Sequence, residues 1–100
     1  MPTRPRLEWR LRARLDLMGI VAGIADDNPD AAQLLKEEIE KKVSKLPEYP
    51  KLYKMSARLD GMREMVVRRN YIVLYRETSQ LVEIMNVLSA HRQLPPSHRQ

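Results

Sequence analysis

The side chains best suited to chemistry in this sequence are its arginines and two histidines, His91 and His98. Metal-free cleavage of a ribose phosphodiester needs a base for the 2′-hydroxyl, an acid for the leaving oxygen, and cations for the charge developing on phosphorus. Arginines and the two histidines contain that set in kind. An ordinary reading stands beside it. Arg63 and Arg76 are then strand-face arginines pairing with Glu64, Glu77 or Glu83, as cross-strand charges commonly do. Metal chemistry is not expected, because the histidines lack a carboxylate at ligand spacing and the chain has no cysteine. Ser44, Ser56, Ser79, Ser89 and Ser97 show no nucleophile-elbow context, and three glycines make no phosphate-binding loop. No cofactor and no small-molecule ligand are expected.

The charge distribution points to an acidic partner. The net charge is +5, and five of the first fourteen residues are arginine (Arg4, Arg6, Arg10, Arg12, Arg14) against one acid, Glu8. Such an imbalance suits a nucleic acid, a nucleoprotein complex or an acidic protein, and it also serves solubility. At 100 residues the chain is expected to form one domain, residues 1–95, followed by a flexible basic tail, residues 96–100. The absence of cysteine suits a reducing cytoplasm. The N-terminus has no apolar segment of the signal-peptide kind. The longest apolar runs, such as "YIVLY", fall far short of the ~18 residues that cross a bilayer, so no membrane association is expected.

The elements that would position these residues follow from hydrophobic period and punctuation. "LEWRL", Leu7 to Leu11, alternates apolar and polar residues and predicts a short strand. Leu17, Ile20, Val21 and Ile24 then fall at helical spacing, with Leu15, Met18, Ala22 and Ala25 widening the face. Gly19 and Gly23 lie four apart and would let another backbone come close. After "DDNPD", Asn28 suits an N-cap and Pro29 the first helical position. The second helix carries Ala32, Leu35, Ile39, Val43 and Leu46 on one stripe, pairs Glu37 with Lys41 and Glu38 with Lys42 outside, and stops at Pro47. The two helices should form a hairpin. A loop, "PEYPKLYKMSARLDG", leads to three strands, "MREMVV", "YIVLYR" and "LVEIMNVL", joined by the short links "RRN" and "ETSQ". The expected class is α+β: a helical hairpin on one face of a mainly antiparallel four-stranded sheet, in the order β-α-α-β-β-β.

"GMREMVVRRNYIVLYRETSQLVEIMNVLSAHRQLPP" resembles the C-terminal half of the RelE/ParE family of bacterial toxins. It shares the "G-x-R-E-x-V-V" strand, "N-Y-I-V-L-Y-R", a last strand ending "V-x-N-V-L" and an "R-Q-x-P" tail. Asp16-Leu17 to Ile20, an "I-A" pair and "N-P-x-A-A" fit the N-terminal half, so the similarity runs from Leu7 to Pro95. The resemblance implies the toxin of a type II toxin–antitoxin pair, whose small antitoxin wraps it with a segment that folds on binding. Leu15, Met18 and Ala22 are the residues expected to take that segment, the alternative being that the whole widened face is spent on the sheet. RelE-like members cut messenger RNA on the ribosome. An ungapped comparison puts Arg63, Met65 and Ile72 at three of their basic strand positions, with His98 near a catalytic tyrosine. Aliphatic side chains there cannot steady a phosphate, so the sequence is closest to the ParE branch, which poisons DNA gyrase. In that reading there are no catalytic residues, and Arg63, Arg76, His91 and Arg92 contact the target. A RelE-like endoribonuclease is the alternative, and a non-toxic relative serving only in a transcription-regulating complex is the third possibility.

Overall fold

A computed structural model of the chain describes residues 4–89. The elements run β1 (Arg6–Trp9), α1 (Leu11–Ala25), α2 (Pro29–Ser44), β2 (Arg63–Val67), β3 (Tyr71–Glu77) and β4 (Leu81–Ser89). The sheet order is β1-β4-β3-β2; β1 lies parallel to β4, and the other two pairings are antiparallel. Both helices lie against one face of this mixed sheet. The α+β class and element order thus agree with the sequence reading.

Local chemistry explains the boundaries. Leu11, expected in the first strand, begins α1 instead: the Arg10 N–H bonds the Ile84 carbonyl and the Arg10 carbonyl accepts from Arg14 N–H, so the chain turns from ladder to helix at that residue. The Asn28 side chain accepts from Ala31 N–H at 3.0 Å and Pro29 follows, as capping preferences require. The apolar stripe of α2 is buried along its length, and Leu46, just past the helix end, stays in the core. The expected pairs with Lys41 and Lys42 are replaced by other partners. Glu37 accepts from Gln33, while Glu38 faces the β2–β3 turn and binds Arg68. Ala13, Leu17 and Ile20 of α1 join Leu35, Ile39 and Val43 of α2 over Met65, Val67, Val73, Tyr75, Val82, Ile84 and Val87 of the sheet. A Cβ on Gly19 would meet no other atom within 4 Å, so no backbone among the described residues uses that opening.

Two irregularities interrupt the sheet and its turns. Leu74 pairs Asn86 whereas Tyr75 pairs Ile84, so Met85 is an extra residue in β4 and the ladder bulges there. Asp16 of α1 covers the disturbance: its carboxylate accepts the Val87 N–H at 3.0 Å and the Asn86 amide at 3.4 Å. Replacing Asp16 by alanine is expected to lower stability by about 2 kcal/mol, because a largely buried N–H loses its acceptor. Asp16→Asn, which keeps an oxygen, should recover most of that loss in thermal melts. The second irregularity is the β2–β3 turn, where Arg68 and Arg69 both take left-handed backbone, with φ of 54° and 64°. For residues with a Cβ this costs roughly 1–2 kcal/mol each, which glycine would avoid.

Candidate functional site

The α1 helix exposes a row of side chains that the core does not take up. Leu11 is 70% exposed, Met18 65% and Leu15 47%. Arg14, Met18 and Ala22 recur every fourth residue, so they line one edge of the helix. Across from them stand Trp9 of β1 and Lys36 and Glu40 of α2, with Leu17 and Val21 forming the floor. Together they enclose an open, mostly apolar groove of about 510 Å³. Lys36 is paired with Glu40 at 3.0 Å, whereas Arg14 has no ion-pair or hydrogen-bond partner among the described residues. The rim therefore carries net positive charge. Helical period placed Met18 and Ala22 on the widened face of α1, and the family resemblance proposed them as antitoxin contacts. Leu15 sits one step round the helix, on a smaller depression with Asp16, Gly19 and the end of β4. Trp9, Arg14 and Lys36 were not singled out, although the fourfold spacing of Arg14 from Met18 signals that they share an edge.

The two strand arginines occupy opposite faces of the sheet. Arg63 pairs in register with Tyr75, which is in the core under the helices, so Arg76 must point to the other side. Arg63 is nearly enclosed, its side chain 16% exposed. It donates through Nε to Glu77 at 3.2 Å and through a terminal nitrogen to the Tyr53 carbonyl at 2.8 Å, which ties the connector before β2 to the sheet. Tyr75 donates its hydroxyl to the Pro50 carbonyl, and burial pushes its pKa up to about 12. It is a protonated donor at neutral pH, not a base.

On the outer face Glu83 receives Arg76 at 2.7 Å and Arg10 at 3.3 Å. The hydrogen bond from Arg76 is the largest influence holding the Glu83 carboxyl below the usual range. Glu64, farther along this face, binds Ser56 and Arg58 of the connector. The pairings of Arg63 with Glu77 and Arg76 with Glu83 are those of the ordinary structural reading. Met65 and Ile72 are also divided: Met65 faces the helices, and Ile72, paired with Val66, faces away. Arg63, Met65 and Ile72 thus cannot border one pocket, since ungapped matching ignores which side of the pleat a residue takes. His91, Arg92 and His98 lie outside the described residues.

The comparison with family models decides the class. The model described as "ParE toxin of type II toxin-antitoxin system, parDE" matches residues 7–94. This chain belongs to the ParE toxin family. A curated relative, Y4kP of Sinorhizobium fredii (strain NBRC 101917 / NGR234), named as a candidate toxin, is 40% identical over 94 residues, covering 93% of this chain and 96% of its own. A solved structure described as "Chromosomal ParDE TA system from P. aeruginosa" superposes with a TM-score of 0.77 at 18% identity, over 86% of this chain and 96% of the other. That likeness shows the ParE-like fold. As a ParE-family member the chain is the toxin component of a type II toxin–antitoxin system, and an antitoxin is its partner. Among the described residues of this ParE-family toxin, no helix is long and apolar enough to cross a membrane.

Proposed function

We propose that this toxin acts in the cytoplasm by binding DNA gyrase, without a catalytic site of its own, and that its antitoxin silences it by laying an acidic, amphipathic segment in the α1 groove. The first part rests on one observation: the arginines of the two sheet faces are engaged by carboxylates on opposite sides of the sheet. Phosphodiester cleavage requires a base, an acid and cations converging on one reacting phosphorus. Here Arg63 is bound to Glu77 and Tyr53, and Arg76 is bound to Glu83. Tyr75, with its raised pKa, supplies no base. A binding mode needs no such convergence; it needs exposed charge and shape. The groove supports the second part, because exposed Met18 and the floor of Leu17 and Val21 fit the apolar side of a helix, and Arg14, without a partner among the described residues, fits an acid beside it.

The purified toxin is expected to inhibit gyrase supercoiling while leaving ribosome-bound messages intact. Cleavage of those messages, with no effect on supercoiling, would replace this reading with the endoribonuclease one. No effect in either assay, together with normal growth on induction, would leave only a role in a regulatory complex.

A further inference from the structure

We propose that the β2–β3 turn is a contact for the phosphate backbone of nucleic acid, with Arg69 as the contacting side chain. Two adjacent arginines hold left-handed backbone there, a conformation that asparagine or glycine would adopt with less strain. The two side chains differ in what they do locally. Arg68 is bound to Glu38 of α2 at 2.7 Å, which accounts for it as a brace between the turn and the helix. Arg69 is exposed and has no ion-pair or hydrogen-bond partner among the described residues. The left-handed backbone closes the hairpin between Val67 and Tyr71, a task asparagine or glycine would perform at less cost, so turn geometry accounts for the conformation but not for an arginine side chain at position 69.

The surroundings fit an anion. Glu38, the acid that bonds the turn, is already neutralised by Arg68, and Lys42 follows one helical turn beyond it. Asn70, exposed at the same turn, adds an amide donor. Position separates the turn from the antitoxin groove. The groove is built on β1, and the turn closes β2, at the opposite edge of the sheet. Three strand spacings put those edges roughly 14 Å apart. A segment confined to the groove leaves Arg69 open, which suits a second partner. A guanidinium fork matches phosphate oxygens in pairs, and such contacts position a protein on nucleic acid without reading sequence. This deepens the gyrase reading and rests on it for its biological setting, because gyrase works on DNA.

The test uses the full chain with Arg69→Asn and Arg69→Gly, both compatible with the turn. Binding to a mixed-sequence DNA duplex is measured across a salt series, beside supercoiling inhibition, antitoxin affinity and thermal melting. Expected are melting temperatures equal to or above wild type, duplex affinity lowered roughly three- to tenfold, and a log–log salt slope flatter by about one. Antitoxin affinity should not change. Unaltered duplex affinity and slope would overturn the proposal, as would a loss confined to antitoxin binding, which would assign Arg69 to an acidic protein instead. A wild-type chain that spares gyrase yet loses duplex affinity on substitution would support the turn contact and sink only the gyrase reading.

Discussion

Arg63→Ala is expected to lower the unfolding free energy by about 3 kcal/mol. The change strands a Glu77 carboxylate that is itself only 16% exposed, and it leaves the Tyr53 carbonyl without its donor. Breaking a buried pair from one side costs roughly 3–5 kcal/mol, and partial exposure places this one at the lower end. A domain of this size has about 5–15 kcal/mol to lose, so the variant should still fold but melt well below wild type. Arg63→Lys should recover only part, since an ammonium does not reach both acceptors in the fork geometry of a guanidinium. Urea midpoints measure the stability term, and toxicity per folded molecule separates it from function. If Arg63→Ala kept wild-type stability and lost toxicity, the residue would be a target contact, as the resemblance alone implies. The expected result is the reverse.

Met18→Asp should loosen the antitoxin by roughly a hundredfold, about 2.7 kcal/mol, with no loss of thermal stability. Met18 is 65% exposed and contributes little to the core, so the folded chain tolerates the change. At the interface, the aspartate puts charge where an apolar side chain should be buried and repels an acidic segment. Truncating a central anchor in such a groove commonly costs more than 2 kcal/mol. Isothermal titration with the cognate antitoxin reads the affinity, and co-expression reads the consequence: the variant toxin should escape neutralisation. Wild-type affinity for Met18→Asp and for Ala22→Asp alike would move the antitoxin elsewhere.

The elements of this fold were legible because each is marked by its own residues. Asn28-Pro29 opens α2, Pro47 follows it, and the even spacing of Leu35, Ile39 and Val43 fixes its buried side. What the sequence did not disclose depends on pairing between distant segments. Whether Arg63 and Arg76 share a face is set by the match of Arg63 to Tyr75, a register that no local pattern encodes. The bulge at Met85 adds a second difficulty. It lets Ile84 and Val87, three residues apart, both reach the core, which breaks the twofold alternation expected of a strand. Asp16 carries a family motif, but its purpose appears only once α1 is seen to lie over that bulge. The groove was half visible: the exposed edge of α1 follows from helical period, whereas Trp9 and Lys36 arrive from other elements.

The parallel seating of β1 beside β4 has a consequence for how the molecule is made. Helices and the β2–β3 hairpin rest on contacts between near neighbours and can form while synthesis is under way. The first strand cannot. Among the described residues its ladder partner is β4, far along the chain, so Trp9, and with it one wall of the α1 groove, waits until that strand has emerged. A nascent chain whose β4 has yet to emerge would thus present the α1 groove without its Trp9 wall.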